Sequence, residues 1–547
     1  MIAKQLIEPK SIVVVGGSDD VHKPGGAVLR NLQDGNFKGS LYVVNPKMDE
    51  VQGIKACRDV KDLPEVDCAI LAIAAKFCPS TVEVLAKQKN TKAFIILSAG
   101  FHEENEEGAK LERQIVETVN SVGGSLIGPN CIGVLTNHYS GVFTSPIPEL
   151  NPQGVDLISG SGATALFIMD SGMQKGIKFN SMYSVGNSAQ LGVEEILEYM
   201  DESFDPKTSS RVKLLYVESI EKPEKLLKHA SSLIRKGCRI AAVKSGGSAA
   251  GSRAASSHTG ALASSDVAVE ALFRKAGIVR CNGRDELMTV AGIFMHPEMK
   301  GRNMAVVTHA GGPAVMLTDA LSNGGMDVPH IEGEKAQELL AKLFAGSSVG
   351  NPIDFLATGT AEQLGYILDA CDRDFDNIDG MAVIFGSPGL FPVFDVYNVL
   401  DEKMKTSKKP IFPIFPSSKI VKDEIAEFVS KGRVYFPDEV LFGNALCKIY
   451  KTPAPQPEHF EMPDMDVKKI REVVDNAQNG YLSPDEIHAL LDAAGVARAK
   501  EGVSDNEEEI VKMAKEIGFP LVMKVVGPIH KSDVGGVVLN VKDEETV

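Results

Sequence analysis

"SIVVVGGSDDVHKPGGAVLRNL" (residues 11–32) decides the fold. Ile12 to Val15 form an unbroken β-branched run, the pattern of a strand buried on both faces of a parallel sheet. The run breaks on Gly16, Gly17 and Ser18. A helical pattern resumes behind Pro24, with Gly25 and Gly26 in its first turn. Strand, glycine turn and helix make half of a βαβ unit, and the rest of the chain repeats that phrase.

Further apolar runs follow at "LYVVNP" (41–46), "CAILAI" (68–73) and "AFIILSAG" (93–100). Residues 78–90 and 104–123 read as helices between or after them. A second cycle opens at "GVDLISGSGATALFIMDSG" (154–172) and continues through "VKLLYVES" (212–219) and "RIAAVKSGG" (239–247). A third opens at "NMAVVTHAGGPAVMLTDAL" (303–321), followed by "GMAVIFGSPG" (380–389) and "KPIFPIFPSS" (409–418). The expected class is α/β, with parallel, doubly wound sheets. The expected domains are 1–145, 150–295 and 300–450. A Pro- and acid-rich linker follows at 451–466, then a last segment, 467–547. In that segment Ser483, Pro484 and Glu486 have the spacing of a capping box.

The chain has 547 residues and a net charge of −16. That acid excess argues against general nucleic-acid binding, which needs a basic face. Eight cysteines are scattered without metal-binding spacing, as expected of buried small hydrophobes in a reducing compartment. No apolar run is long enough to span a membrane and the start does not read as a signal peptide, so the expected location is the cytoplasm.

Four glycine-rich turns stand at strand-to-helix junctions, where helix amides and dipole favour anions. The first, Gly16–Gly17–Ser18 with Gly25, is not a strict dinucleotide fingerprint, and a tight βα turn needs glycines in any case. Ser159, Gly160, Ser161 and Gly162 supply hydroxyls and bare amides at one helix start, a cradle for phosphate or an oxyanion. Gly311 and Gly312 precede Pro313, which suits a first helical turn. The fourth, "KSGGSAAGSRAASSHTGALASSD" (244–266), reads as a long loop of small residues carrying His258. A neutral imidazole there can take a phosphoryl group as a phosphoramidate. Glu218, at the carboxyl end of a strand, is the candidate orienter. The alternative is a flexible loop with an incidental histidine. His102 and His309 also stand beside glycine turns, with no role assigned.

Taken together, "IGPNCIG" (127–133), "SGSGA", "VGNSAQLGVEEILEYM" (185–200), "SSHTGA", "THAGGP", "NPIDFL" (351–356) and "KVVGPIHKSDVGGVVLNV" (524–541) are specific. They resemble the nucleoside-diphosphate-forming acyl-CoA synthetases, above all the ADP-forming acetate–CoA ligases, from about residue 5 onward. The resemblance implies a Rossmann-like CoA-binding domain, two flavodoxin-like domains of the succinyl-CoA synthetase type, and the beginning of an ATP-grasp domain. It implies a reversible reaction of acyl-CoA, phosphate and ADP to give a carboxylate, acetate foremost, with CoA and ATP. Acyl phosphate and a phosphohistidine are the implied intermediates.

By that likeness CoA is held by Gly16, Gly17, Ser18, Gly25 and Lys47, with Asn130 near the thioester. Phosphate sits at Ser159–Gly162 and at Gly311–Gly312. His258 is the phosphoryl carrier on a mobile arm of glycine and alanine, Glu218 steadies it, His530 is a second relay histidine, and Lys524 contacts nucleotide. A departure stands at Ala189–Gln190, where the family commonly carries an aspartate. The ligands for Mg²⁺ are expected beyond Val547, which implies a truncated chain limited to the CoA and phosphohistidine half-reactions. The family also implies a homo-oligomer. Two other readings exist: a CoA-binding regulatory scaffold of a protein acetyltransferase, and a succinyl-CoA ligase. The histidine motif and the fused domain order favour the acetate type over both.

Overall fold

The structure is a computed structural model. It describes all residues except 1, 36, 260–263, 388, 391, 458–462 and 528–534, and it leaves the side chains of 255–259 undescribed as well. The chain divides into two compact units, Met1–Gln456 and Pro457–Val547.

The first unit holds three sheets. The first contains β1 (Ser11–Val15), β2 (Ser40–Val44), β3 (Glu50–Val51), β4 (Ile54–Cys57), β5 (Cys68–Leu71), β6 (Ala93–Ile96) and β7 (Ser125–Ile127). Its order is β3-β4-β2-β1-β5-β6-β7, parallel except at β3–β4. The opening stretch is its centre: β1 pairs with both β2 and β5, and the helix Pro24–Asp34 starts on the expected proline. The order reverses beside β1, where open α/β sheets form their crevices.

The second sheet contains β8 (Gly133–Leu135), β9 (Ser140–Val142), β10 (Leu150–Ser159), β11 (Phe179–Ser184), β12 (Val212–Val217), β13 (Arg239–Lys244) and β14 (Val279–Cys281), in the order β14-β13-β12-β10-β11-β8-β9. Residues 133–135 and 140–142, which the sequence reading puts in the first domain, are strands of this second sheet. β8 lies antiparallel to β11 and β9 antiparallel to β8. Tyr139, 1% exposed, donates its hydroxyl to the Leu6 carbonyl at 2.7 Å, so this hairpin stitches the two sheets together. Three-residue strands carry too little pattern to be read from sequence.

The third sheet is β16-β15-β17-β18, all parallel, built from β15 (Met304–Thr308), β16 (Ile353–Asp354), β17 (Gly380–Ile384) and β18 (Ile411–Ile414). The sheets share cores. Ile12, Ile70, Ile158 and Leu215 belong to one apolar cluster, and Leu157, Leu214, Val306 and Phe412 to another. Those shared clusters make 1–456 a single unit, because separating the sheets would expose apolar surface on each.

One expectation is corrected. The segment carrying His258 is a helix, Ala249–Thr259, where the sequence reads as a loop. Ser248 Oγ accepts from the Gly251 amide at 3.0 Å, as an N-cap does. Four of the eleven residues are alanine, the best helix former, and this outweighs Gly251. In the second unit, the helix Pro484–Ala493 has the expected capping box of Ser483 and Glu486. β19 (Leu521–Lys524) pairs antiparallel with β20 (Val537–Val541). Of the cysteines all are free, and only Cys57 is not fully buried. Among the described residues, no helix is long and apolar enough to cross a membrane.

Candidate active site

The carboxyl ends of the first and second sheets meet at a cavity of about 560 Å³ lined by His102, Glu112, Asn130, Ser161, Gly162 and Glu218, among others. Two turns form its seam. The turn after β7 holds Gly128 at φ +90° and Asn130 at φ +56°; the turn after β11 holds Gly186 at φ +54°. The Asn187 amide donates to Pro129 O at 2.9 Å and the Ala189 amide to Gly128 O at 3.2 Å. A Cβ on Gly186 would stand 2.2 Å from Pro129 O, so only glycine lets these backbones touch. Cys131, next to Asn130, is buried, and burial pushes its thiol up to about 12. It is no nucleophile.

β10 feeds the helix Gly162–Gln174 through Gly160 and Ser161. Ser161 is the N-cap and its hydroxyl accepts from the Thr164 amide at 3.4 Å. Ser159 does something other than expected. It is fully buried, and its hydroxyl donates to Ser161 O at 2.7 Å while accepting from the Ser161 amide at 3.2 Å. It shapes the turn and offers nothing to an anion. The first-turn amides of the helix have no intrahelical partner, the arrangement that favours anions at helix starts. Glu218 follows directly on β12 and is half-buried.

Sequence reasoning missed the group opposite. After β6, His102 Nδ1 lies 2.8 Å from Glu112 Oε1, Glu112 being on the helix Glu106–Ser121. Asn187 Nδ2 donates to Glu103 at 2.5 Å and to Glu112 at 3.1 Å. The hydrogen bond to Glu112 raises the His102 pKa above its ordinary value, against the opposing effect of burial. Burial opposes ionisation of Glu103, but the Asn187 amide and the Gly100 and Phe101 N–H groups outweigh it and hold its carboxyl below the usual range. The signal was present in "SAGFHEEN" (98–105), a βα turn at the same sheet edge as the glycine turns.

The other expected residues lie elsewhere. Gly16 has φ +88°, and a Cβ on Gly25 would meet Gly16 O at 2.1 Å, so turn and helix are in contact at the end of β1. Ser18 Oγ accepts from the Asp20 amide. Asn45 links this turn to Lys47, donating to Gly17 O at 2.9 Å and accepting from the Lys47 amide at 2.9 Å. Gly311 opens the helix Gly311–Asn323 at the end of β15, with Gly312 in open space. The segment that bears His258 is rooted by Lys244, whose ammonium donates to Gly246 O and Ser264 O, each at 3.0 Å. Ser264 Oγ in turn accepts from the Ile220 amide, two residues past Glu218. The His258 side chain and His530 lie outside the described residues. Lys524 is exposed at the end of β19, in the second unit, and lines a cavity of about 870 Å³ there.

Comparison with known proteins gives the site its context. Residues 10–137 match a CoA binding domain, 152–294 a succinyl-CoA ligase like flavodoxin domain, and 473–547 an ATP-grasp domain. The chain is 32% identical to acetate–CoA ligase [ADP-forming] I of Archaeoglobus fulgidus, over 99% of this chain and 78% of that protein. It is 29% identical to the 4-hydroxybutyrate–CoA ligase [ADP-forming] of Nitrosopumilus maritimus, over 100% of this chain and 79% of that protein. A solved dinucleotide-forming acetyl-coenzyme A synthetase 1 of Ca. Korarchaeum cryptofilum, in complex with phosphate and ADP, superposes with a TM-score of 0.73 at 26% identity. It covers 82% of this chain and 96% of that one. A cavity shared by a CoA-type domain and a ligase-type domain, in a chain alike from end to end to enzymes of one kind, places this protein in the ADP-forming acetate–CoA ligase family of acid–thiol ligases.

Proposed function

We propose that the cavity between the first two sheets is where thioester and phosphate react, and that His258 carries the phosphoryl group away from it. The observation that supports this most is the convergence on that one cavity of Asn130, Ser161, Gly162 and Glu218, drawn from three separate loops. Phosphate is held on the free amides at the start of the helix Gly162–Gln174, where the dipole favours its charge. Its oxygen bonds to the acyl carbon, the C–S bond breaks, and CoA leaves as the thiol. A ring nitrogen of His258 then attacks the phosphorus of the acyl phosphate and the carboxylate departs. Glu218 steadies the resulting phosphohistidine, which gives its phosphoryl group to ADP.

CoA enters from the first sheet, over Gly16, Gly17, Ser18, Gly25 and Lys47. Gly311–Gly312 offers a second helix start for the travelling phosphate, and Lys524 and His530 serve the nucleotide end. Acetate is the favoured acid. One methylene more or less shifts discrimination in a pocket by only about 1–3 kcal/mol, and one relative is named for 4-hydroxybutyrate. Mg²⁺ accompanies nucleotides in such chemistry, but the described residues do not fit a site for it. Among them, the one group of three ligand-type side chains with converging donor atoms is His102–Glu103–Glu112, in the first unit and not among residues 473–547. No step is therefore routed through a metal. We place the protein in the cytoplasm as a homo-oligomer, a state that light scattering on the eluted protein measures.

Incubation with acetyl-CoA and labelled phosphate tests the reading. An acid-labile, base-stable label mapped to His258 and lost in His258→Ala is the expected result. Full labelling of His258→Ala overturns it.

A further inference from the structure

We propose that His102 is the proton donor and acceptor for the CoA sulfur in the thioester step. The proposal rests on the reading of the cavity given above and goes beyond it by naming the residue that handles the thiol. Among the described residues, the cavity is lined by no lysine and no arginine, and His102 is the only side chain there that can carry positive charge. Its Nδ1 is taken by Glu112, so Nε2 is the ring nitrogen left for the cavity. Glu112 is only 13% exposed and its other contact is the Asn187 amide, which fixes the imidazole as an orienting carboxylate does.

His102 comes from the first sheet, within the residues that match a CoA binding domain, while the helix start that receives phosphate comes from the second. The attacking oxygen and the departing sulfur thus have separate walls. The charged groups acting on His102 are carboxylates, Glu112 from the helix Glu106–Ser121 and Glu103 from its own turn, and Glu194, Glu218 and Glu221 line the second sheet's side of the same cavity. Such a setting favours the imidazolium. His309, at the turn after β15 in the third sheet, has its pKa lowered by burial.

The step balances without an added reactant. In acyl-CoA plus HPO₄²⁻, the phosphate oxygen bonds to the acyl carbon and the C–S electron pair stays on sulfur. Nε2–H gives its proton to that sulfur, and the imidazole recovers a proton from the one phosphate has released. In reverse, neutral His102 takes the thiol proton as sulfur attacks acyl phosphate.

Two labelling rates separate this role from a structural one. Enzyme labelled by phosphate plus acetyl-CoA must break the C–S bond; enzyme labelled by labelled acetyl phosphate does not. His102→Gln is expected to slow the first about 10²-fold or more, the usual worth of a general acid, and to change the second little. In wild type the first rate falls as pH rises through the His102 pKa. Glu112→Gln removes what raises that pKa, so the fall moves to lower pH. Equal loss of both rates in His102→Gln, no loss of the first, or an unmoved pH limb in Glu112→Gln overturns the proposal. Wild-type enzyme labelled by neither donor overturns the reading of the cavity itself, and this assignment with it.

Discussion

Two strand-to-helix turns of this protein are built alike and surrounded differently. At the end of β10, Ser159 Oγ donates to Ser161 O; at the end of β15, Thr308 Oγ1 donates to Ala310 O at 2.8 Å. Each hydroxyl also accepts the amide of the residue it braces, and each turn leads into a helix of 13 residues. Beside the first turn stand Glu218, Asn130 and His102. Beside the second, His309 donates Nε2–H to Gly386 O at 2.7 Å and lies on Phe385, with Asp354 near the helix start. A helix start braced by a hydroxyl is therefore a local device that recurs. The neighbouring sheet edge decides whether reactive side chains surround it.

The comparison breaks first in the strands. Asp156 of β10 and Lys213 of β12 are register partners and form a buried ion pair, 4% and 2% exposed, with Asn180 and Ser181 also donating to Asp156. The matching pair β15–β17 is apolar at every paired position but Thr308. Lys213→Met leaves a buried carboxylate without its cation and is expected to destabilise by about 3–5 kcal/mol, read as a fall in the urea midpoint. A loss below about 1 kcal/mol would mean that water or a neighbour replaces the ammonium.

The caps differ next. Ser161→Ala removes an N-cap and is expected to cost about 1 kcal/mol, with slower phosphoenzyme formation beyond what instability explains. Ala310 makes no side-chain cap, so Ala310→Ser is expected to stabilise by up to about 1 kcal/mol in thermal melts. The glycines behave likewise. A methyl group added to Gly312 would have no atom within 4 Å, so Gly312→Ala is expected to gain up to about 1 kcal/mol from helix propensity. At Gly162 a methyl would meet Ile132 Cγ2 at 2.6 Å on the cavity wall, so Gly162→Ala is expected to lose turnover without that gain.

The smallest effect is in the two histidines. Glu112 raises the His102 pKa, so its contribution to stability is full below its unfolded value of about 6.5 and fades as pH rises through the folded value. Burial lowers that of His309, so its contribution is present above about 6.5 and is lost as pH falls through the folded value. An NMR titration of the two imidazoles should place His102 above that reference and His309 below it. The reverse order would undo the assignment of their surroundings.

Much of this was legible in the sequence. Buried parallel strands read as unbroken apolar runs, and β1, β5, β6, β12, β13, β15 and β17 fall inside the runs quoted. The capping box at Ser483 is a local signal and came through whole. The hairpin of β8 and β9 did not, because each strand has three residues and gains its meaning from β11, well along the chain. The His258 segment is a helix and not the expected loop for a different reason. Small residues suit loops, but alanine under a serine cap also suits a helix. Ser159 looked like a ligand group because nothing local reveals that its hydroxyl is spent on the turn.

What the sequence determined by itself was the succession of strand, glycine turn and helix, and with it the parallel sheets and the anion-ready helix starts, since these follow from short-range periodicity and backbone sterics. What only the tertiary structure decided was which turns share a cavity. Asn130, Ser161, Glu218 and His102 lie on four loops far apart in the chain, and they meet because Gly186 lets one turn close on another and because the first two sheets bury apolar surface against each other. That burial depends on area, not on sequence distance, and so leaves no mark on any one stretch of the chain.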